Sequence, residues 1–583
     1  MEESSNKIIN KRNNRKRKKS FLKNARKYAK KGHFGRGSQL DSDTYNYFVK
    51  ILETFKDGFD SEEDKKVFAN NVFEQTKDQE INCCCNQVGC RVIELLLPYA
   101  DNDIVKQFLD VFSEDIRPLI SDRFASHVLE CLVSESCKRT FIENTPQEMR
   151  LVYQNFAIKV SKFLLNNLED YMWDTYGNHV IRSCLINLIQ LPTDNSNTDK
   201  QDIVIPNEFS DIVKEYGERI ISWPQFEQLC MSDLTSGFLQ VLMKCLKNTD
   251  PKLLKSYSKK LLEEIFNKNS QEKDKPKHLP SAFGSQSVVM LLETCLQLVN
   301  SKLFMQLYNS CFSGSLVKLS TIKMTNFAVQ KLIQHCQEKE HFEGIYDELV
   351  DNFPAIIEVG HSGILLSLSE ACKKFRTRQG SFVQQLMRAL DCFEPEERQN
   401  SLILCLCRFT TYENNLKKAI ENLQKEKLNL HGTLILQKLL DYNKPIKIVN
   451  ALLNLDQNAL LNLFSNTMGS HVVDSYVRGD FVGEKSREKL VRKMMGVYKD
   501  LASSKFGSRS FEALWNVANL KCKLQIIEEL SHKDASWVNS EFGKIISNKI
   551  NYLLYKRNKE EWKNSLNKSK ENKKEQLLAK VLN

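Results

Sequence analysis

The sequence is poor in the two residues that most often interrupt regular structure. Only 33 of its 583 residues are Gly or Pro, about half of the roughly 12% that is usual in proteins. A turn-dense β-sandwich or barrel and a collagen-like chain are therefore not expected. Hydrophobic residues make up 41% of the chain and charged residues 27%, which is typical of a folded protein and argues against wholesale disorder.

Long apolar segments are missing as well. No stretch approaches the roughly 18 apolar residues that a membrane helix requires, and the N-terminus has no apolar core of the signal-peptide kind. Seventeen cysteines in a chain without such a signal indicate reduced intracellular thiols. We therefore expect neither a membrane partner nor a framework of disulfide bonds.

The body of the chain lacks the excess of positive charge that the net charge of +11 suggests. Residues 1–40 hold fourteen Lys or Arg and two Glu, residues 556–583 hold nine and four, and the remainder is mildly acidic. Dense like charge resists burial, so residues 1–40 are predicted to be a disordered basic tail and residues 556–583 a basic helix or tail. Residues 41–80 are predicted to be capping helices. The first tail suits an import receptor and RNA phosphates alike.

A short motif recurs along the body with helical spacing of its apolar residues. The copy at 506–514 reads FGSRSFEAL and the copy at 468–476 reads MGSHVVDSY. The residue after the Gly-like position, here termed the anchor, falls at 90, 126, 178, 236, 285, 326, 362, 433, 470, 508 and 544. Five of the intervals are 36 to 38 residues long. A degenerate copy near 401–406 is proposed for the long interval before 433, and polar loops are predicted at 192–203 and 268–280.

This period predicts a curved all-α solenoid of about eleven helical repeats over residues 81–555, because one copy cannot close a core alone. In each copy the anchor, the next residue and the residue four after the anchor are predicted to face away from the core. A pair one helical turn apart can hydrogen-bond a base edge, and a planar residue beside it can stack on a base. The predicted RNA-binding residues are Cys90, Arg91, Glu94, Ser126, His127, Glu130, Asn178, His179, Arg182, Ser236, Gln240, Asn326, Phe327, Gln330, Thr433, Gln437, Ser470, His471, Asp474, Ser508, Arg509 and Glu512.

The copies resemble pumilio (PUF) repeats, whose motif is Gly-Asn/Ser-x-x-x-Gln/Glu in the second helix. The resemblance implies guanine at the copies with anchors 126 and 508, uracil at 326 and adenine at 236. A simple linear code is not expected, because non-coding residues occur four after several anchors, at Arg182, Val289, Leu366 and Asp474. The position after the anchor lacks a planar side chain at Gly237, Gly363, Leu434 and Ile545. At the copy with anchor 285, Gln286 and Met290 form an alternative pair.

The segment 30–48, KKGHFGRGSQLDSDTYNYF, is similar to the opening of the nucleolar protein 9 family, which has a divergent, elongated pumilio-like solenoid. This resemblance implies a nuclear and nucleolar protein that binds precursor small-subunit rRNA and shields it from premature cleavage at the 3′ end. Preribosomal proteins are expected as further partners, and the chain is expected to be a monomer.

Two other functions fit the repeat pattern. A protein-binding scaffold of HEAT or armadillo type would present an apolar face, and a pumilio-type regulator would bind mRNA. Cys83–Cys85 with Cys90 resembles a metal cluster, but no second cysteine hook lies close in sequence, so no metal is predicted. No P-loop, dinucleotide-binding or metalloprotease motif is present. We therefore expect no cofactor and no catalysis.

Overall fold

The computed structural model describes residues 21–142, 145–192, 204–267, 279–416, 427–532 and 535–566. These residues are mainly α-helical, and the extended pairing found among them is a single antiparallel bridge between Gly37 and Asn86. The predicted all-α class is confirmed.

Within the described residues, eleven copies of a three-part unit follow one another. Each copy has a short leading helix, an anchor helix that carries the motif and a return helix. The leading helices are α4 (Glu80–Cys84), α7 (Ile116–Ser121), α10 (Leu168–Tyr171), α13 (Phe226–Met231), a 3₁₀ turn (Ser281–Phe283), α18 (Leu316–Thr321), α21 (Phe353–Glu358), α24 (Leu402–Arg408), α28 (Gln457–Phe464), α31 (Tyr498–Ser503) and a 3₁₀ turn (Ser536–Asn539).

The anchor helices are α5 (Gln87–Leu96), α8 (Ala125–Phe141), α11 (Thr175–Leu188), α14 (Asp233–Thr249), α16 (Gln286–Leu298), α19 (Asn326–His335), α22 (Ser362–Phe375), α26 (Leu430–Leu440), α29 (Ser470–Arg478), α32 (Gly507–Val517) and α34 (Glu541–Lys549). The return helices are α6 (Asn102–Glu114), α9 (Gln147–Asn166), α12 (Asn207–Ile221), α15 (Pro251–Lys260), α17 (Ser301–Leu307), α20 (Lys339–Leu349), α23 (Gln379–Ala389), α27 (Ile446–Asn454), α30 (Glu484–Lys493), α33 (Leu520–Ser531) and α35 (Tyr552–Arg557).

The remaining helices flank or extend these copies. Helices α1 (21–29), α2 (Ser42–Asp57) and α3 (Glu62–Gln75) precede the first copy, α25 (Tyr412–Leu416) follows α24, and α36 (559–566) follows α35. Short 3₁₀ helices span Leu97–Tyr99, Val350–Asn352 and Glu396–Ser401, and π-helical turns span Leu261–Phe266 and Tyr308–Phe312.

The described residues divide into two compact units, the first ending at residue 311 and the second beginning at residue 312. In the first unit α5, α8, α11, α14 and α16 contact one another in sequence, and in the second α19, α22, α26, α29, α32 and α34 do so. The residues two and three after each anchor form the core of this stack; Val128 and Leu129, for example, are fully buried. The predicted α-solenoid class, with about eleven helical repeats in the two units together, is therefore confirmed.

The glycine before the anchor is explained by the corner between the leading and anchor helices. A Cβ on Gly469 would lie 2.1 Å from the carbonyl oxygen of Leu463, six residues earlier, and a Cβ on Gly543 would lie 1.8 Å from that of Trp537. Only glycine permits such an approach. Where threonine replaces this glycine, its hydroxyl uses the same carbonyl: Thr235 Oγ1 donates to the oxygen of Leu229 at 2.7 Å.

The same corner shows that the predicted degenerate copy at 401–406 is wrong. Residues 402–406 begin α24, which is the leading helix of the copy with anchor 433, and Ser401 ends the 3₁₀ helix before it. A Cβ on Gly432 would lie 2.0 Å from the carbonyl oxygen of Leu406, as at the corners of other copies. The long interval before 433 therefore reflects extra residues between a leading helix and its anchor helix, and periodicity could not distinguish this insertion from a missing copy.

The structure also corrects the extent of the predicted tail. Residues 21–29 are helical, and residues 33–40 lie on the first copy, where Asn86 Nδ2 donates to the carbonyl oxygens of Phe34 and Ser38 at 3.0 and 2.7 Å. Disorder is thus wrong for residues 21–40, because apolar groups such as Ala25 and Leu40 are buried there. Residues 1–20, 567–583 and most of the two predicted polar loops lie outside the described residues.

Candidate nucleic-acid interface

The planar residue after the anchor is exposed in each of the six predicted positions, which are Arg91, His127, His179, Phe327, His471 and Arg509. Since the residues two and three after the anchor enter the core, the residue before them points outward. The side chain of Phe327 is a strong example, because this large apolar residue is 45% exposed. The predicted exposure of this row is confirmed.

The anchors themselves differ from the prediction. Seven of the eight predicted anchors are buried, namely Cys90, Ser126, Asn178, Ser236, Asn326, Thr433 and Ser470, and Ser508 is half-buried. They are covered because the first turn of an anchor helix packs against its neighbours; Ser236 Oγ, for instance, donates to the carbonyl oxygen of Ser287 at 3.0 Å. The expectation that anchors face away from the core is therefore wrong.

Two of these buried hydroxyls are unusual. Neither Ser126 Oγ nor Ser470 Oγ has a hydrogen-bond partner among the described residues. An unpaired buried hydroxyl costs roughly 1–3 kcal/mol. The two hydroxyls therefore retain hydrogen-bonding capacity that the stack itself does not use.

The residue four after the anchor is half-buried at each of its eight predicted positions. In the first copy, Arg91 and Glu94 form an ion pair at 2.9 Å. In the second, His127 Nδ1 lies 3.4 Å from a Glu130 oxygen, and Ser183 of the third copy donates to Glu130. The hydrogen bond between His127 and Glu130 is the main reason that the pKa of His127 is raised.

Amide side chains at this position contact their own anchors. Gln330 Nε2 donates to Asn326 Oδ1 at 2.9 Å, and Gln240 Nε2 donates to Ser236 Oγ at 3.3 Å. The two predicted members of each pair are thus brought together.

The predicted residues of the copies with anchors 433, 470 and 508 make other contacts. Asp474 lies 4.0 Å from both His471 and Arg478, and Glu512 pairs with Lys549 of the following copy. Thr433 Oγ1 donates to the carbonyl oxygen of Leu430 at 2.8 Å, while Gln437 is half-buried near it in sequence.

Two glycines after anchors have a role that sequence reasoning missed. A Cβ on Gly237 would lie 3.2 Å from Nη1 of Arg182, and a Cβ on Gly363 would lie 2.4 Å from Oε1 of Gln330. In both cases the long side chain four after the previous anchor extends over the glycine. Burial lowers the pKa of Arg182, and Glu130 opposes this shift. The available signal was the combination of a long planar side chain in one copy with a glycine in the next.

The copy with anchor 285 combines the two proposed registers. Ser287, Val288, Leu291 and Leu292 are buried, at the same distances from the anchor as in the other copies. Val289 is also buried, whereas Gln286 and Met290 are exposed. The anchor assignment at 285 therefore holds for the core, but the exposed pair is the alternative one.

The cysteines near the first copy are buried thiols. Burial is the main cause that raises the pKa of Cys83 to about 12 and that of Cys85 to about 11, so both remain protonated at neutral pH. Among the described residues no group of three or more His, Cys, Asp or Glu side chains is arranged to hold a metal ion. A search of the described helices likewise finds none with the length and apolar character needed to span a membrane.

Comparison with known proteins matches this architecture. The family model described as "NOP9-like PUF repeat domain" matches residues 78–202 and 192–545. Nucleolar protein 9 of Mus musculus is 22% identical over 568 residues, which cover 90% of this chain and 88% of that protein. Pumilio homolog 23 of Arabidopsis thaliana is 22% identical over 556 residues, covering 90% of this chain and 73% of the relative.

A solved structure of APUM23-GGAAUUGACGG superimposes with a TM-score of 0.71 at 19% identity, covering 90% of this chain and 99% of that one. This likeness shows a shared fold. The nucleolar relatives span nearly the whole chain, which confirms the predicted nuclear and nucleolar localisation.

Proposed function

The chain belongs to the NOP9-like PUF repeat family, and on this premise we propose that it binds precursor RNA of the small ribosomal subunit. Binding would shield that RNA from premature cleavage at the 3′ end of the small-subunit rRNA. The relatives called nucleolar protein 9 support the choice of a nucleolar RNA, and the repeated surface of the anchor helices supports the choice of RNA as ligand.

The observation that carries the proposal is the row of exposed planar side chains that six of the eleven copies present at the position after the anchor. Arg91, His127 and His179 lie on consecutive anchor helices of the first unit, and His471 and Arg509 lie on consecutive anchor helices of the second. Guanidinium, imidazole and phenyl groups all stack on bases, and stacking contributes about 1–3 kcal/mol per base. A scaffold that binds proteins has no need for planar groups at one repeated position.

Base edges would be read by the half-buried side chains beside this row. Glu130 and Glu512 accept hydrogen bonds, while Gln240 and Gln330 both donate and accept. Because Glu130 already accepts from Ser183, a guanine at this copy would have to share or displace that hydrogen bond.

The remaining parts of the proposal concern partners and the tail. The protein would act as a monomeric binding protein without cofactor, metal or catalysis, alongside preribosomal proteins. The basic residues 1–20 would engage an import receptor and RNA phosphates. Deleting residues 1–20, which spares α1, is expected to reduce nuclear accumulation of a fluorescent fusion; unchanged accumulation would place the import signal elsewhere.

Binding by the anchor helices can be tested with a fourfold variant in which Arg91, His127, Arg509 and Glu512 are replaced by Ala. Affinity for precursor small-subunit RNA should fall at least tenfold, since three planar contacts are lost, while helicity by circular dichroism stays the same. The control replaces the exposed Lys106, Lys162 and Lys302 of three return helices with Ala. It removes more positive charge than the fourfold variant, so equal losses in both would indicate general electrostatics and contradict the proposal.

The identity of the RNA is tested by crosslinking in cells and sequencing of the bound sites. Sites concentrated in precursor small-subunit rRNA, together with premature 3′-end cleavage upon depletion, are the expected result. Sites spread over mRNA 3′ untranslated regions would instead assign the protein to the mRNA regulators. Absence of RNA would favour the protein-binding scaffold.

A further inference from the structure

A cleft of about 460 Å³ lies between α1 and the start of the first anchor helix, α5. One face of α1 lines it, including Phe21 and Tyr28, and the segment that follows contributes His33 and Arg36. The opposite side is formed by the first turn of α5, with Gln87. Most of its lining comes from residues 21–36, which belong to the predicted tail and carry no copy of the repeat motif.

The backbone around this cleft is held in place by two glycines and one asparagine. Gly35 and Gly37 adopt positive φ values of 104° and 93°, respectively, a region that favours glycine. A Cβ on Gly35 would lie 2.5 Å from Asn86 Nδ2, and a Cβ on Gly37 would lie 2.0 Å from the Cys85 carbonyl oxygen. The backbone N–H of Gln87 donates to the Arg36 carbonyl oxygen at 2.9 Å. Arg36 is thereby anchored at the rim while its side chain stays exposed.

The chemistry of the lining suits a ligand that is both aromatic and anionic. Tyr28 is 42% exposed, and the imidazole of His33 and the guanidinium of Arg36 are also exposed. The residues that line the cleft include neither Asp nor Glu. Rings beside a cation and an amide provide a stacking surface, a phosphate contact and a hydrogen-bonding group for a base.

The position of the cleft connects it to the row of planar residues. Gln87 and Arg91 are four residues apart on α5, so their side chains lie on the same helix face about 6 Å apart. Arg91 is the first member of the row. A single RNA strand that stacks on Arg91 would therefore reach the cleft with an adjacent nucleotide.

We propose that this cleft is an additional nucleotide-binding site that extends the RNA-binding surface beyond the first repeat. The base lies against the ring of Tyr28, and its phosphate is held by Arg36. The site rests on the proposed RNA-binding function, but no repeat motif encodes it. It adds a contact made by the N-terminal segment rather than by an anchor helix.

Photo-crosslinking tests the site directly. The full-length protein is irradiated with a degenerate pool of short single-stranded RNA containing 4-thiouridine, and crosslinked peptides are identified by mass spectrometry. The expected result is crosslinks within residues 21–36 in addition to the anchor helices. Crosslinks confined to the anchor helices would overturn the cleft proposal and leave the proposed function intact, whereas a complete lack of crosslinks would overturn both.

Variants give a quantitative second test. Tyr28→Leu combined with Arg36→Ala should weaken binding of the same RNA pool about fivefold to a hundredfold, since a stacking contact and a phosphate contact are lost. Leucine keeps apolar packing on α1, and Tyr28→Phe should retain affinity because the ring remains. The control is Lys27→Ala, an exposed residue of α1 outside the cleft lining, which should stay within twofold of the unmodified protein. Equal affinity of the double variant and the control would overturn the proposal.

Discussion

Gly237 in the first unit and Gly363 in the second occupy the same position of their copies, yet the space beside them differs. A Cβ on Gly237 would lie 3.2 Å from the guanidinium of Arg182, which is a tight contact with the end of a flexible side chain. A Cβ on Gly363 would lie 2.4 Å from Gln330 Oε1, which is a direct overlap. Gln330 cannot easily retreat without losing its hydrogen bond to Asn326.

Both glycines leave space for a side chain of the preceding copy, but the space at Gly363 is smaller than that at Gly237. Each leaves room for the side chain four after the previous anchor, so neighbouring copies share one part of the surface. At these two copies the exposed surface is therefore shared with the preceding copy. The surface of each of the two depends on the residue that the preceding copy extends across it.

Among glycine substitutions, we expect the largest loss of stability at the glycine before an anchor. Gly432→Ala places a Cβ 2.0 Å from the Leu406 carbonyl oxygen, and overpacking of this kind lowers the free energy of unfolding by about 1–3 kcal/mol. Urea unfolding measures it. Gly380→Ala is the control, because nothing lies within 4 Å of its Cβ and alanine should raise the free energy of unfolding by about 0.5–1 kcal/mol. Similar effects of both substitutions would contradict the close-approach argument.

The comparison itself is tested by Gly363→Ala and Gly237→Ala. Alanine should increase stability at Gly237 by up to about 1 kcal/mol, since it favours the helix. At Gly363 that gain should be cancelled or reversed, because Gln330 must move; we expect the two changes in unfolding free energy to differ by about 1–2 kcal/mol. Adding Gln330→Ala to Gly363→Ala should restore the gain. If the two glycines respond alike, neighbouring side chains do not control this position.

A histidine of the second unit provides a pH-dependent contrast. Burial lowers the pKa of His431 to about 4 from its ordinary 6.5, and its Nδ1 lies 2.9 Å from Ser362 Oγ of the previous copy. The folded protein therefore holds the neutral ring, and stability that is present above pH 6.5 is lost as the pH falls towards 4. Urea unfolding at pH 7 and 4.5 should show a smaller loss for His431→Gln than for the unmodified protein. An equal loss in both proteins would show that His431 is not the cause of the lower stability at pH 4.5.

His127 of the first unit should respond with the opposite sign and a smaller amplitude. Its pKa is raised by the hydrogen bond to Glu130, so its contribution is complete below the ordinary pKa and is lost as the pH rises through the raised value. Because the side chain is about half exposed, the effect should stay below about 1 kcal/mol and decrease with salt. The test is the difference in unfolding free energy between the unmodified protein and Glu130→Gln, measured from pH 6 to pH 8. A difference independent of pH would contradict this pairing.

Much of this architecture was predictable from local sequence patterns. The mostly apolar residues two and three after each anchor, together with the glycine that precedes seven of the eleven anchors, predicted the anchor helices and the exposed Arg, His and Phe side chains. The copy at 285 shows the limit of such patterns. Its core register follows the anchor, but the exposed pair is shifted by one residue, because Val289 is apolar enough to join the core.

The N-terminal segment shows a second limit. Its composition predicts disorder, since basic residues dominate, but composition does not report which backbone groups find partners. Asn86 binds the carbonyl oxygens of Phe34 and Ser38 from about fifty residues away in sequence. Two glycines with positive φ allow that approach, and their spacing in the sequence carried no sign of it.

The sequence alone determined the helical class and the core positions two and three after each anchor, because helical periodicity is a local property that each copy expresses by itself. Only the tertiary structure decided which predicted surface residues are buried and what they contact. Ser183 donates to Glu130 across 53 residues, and Gln330 occupies the space that Gly363 leaves open. Such contacts depend on how neighbouring copies stack, and stacking joins residues whose separation in the chain carries no periodic signal.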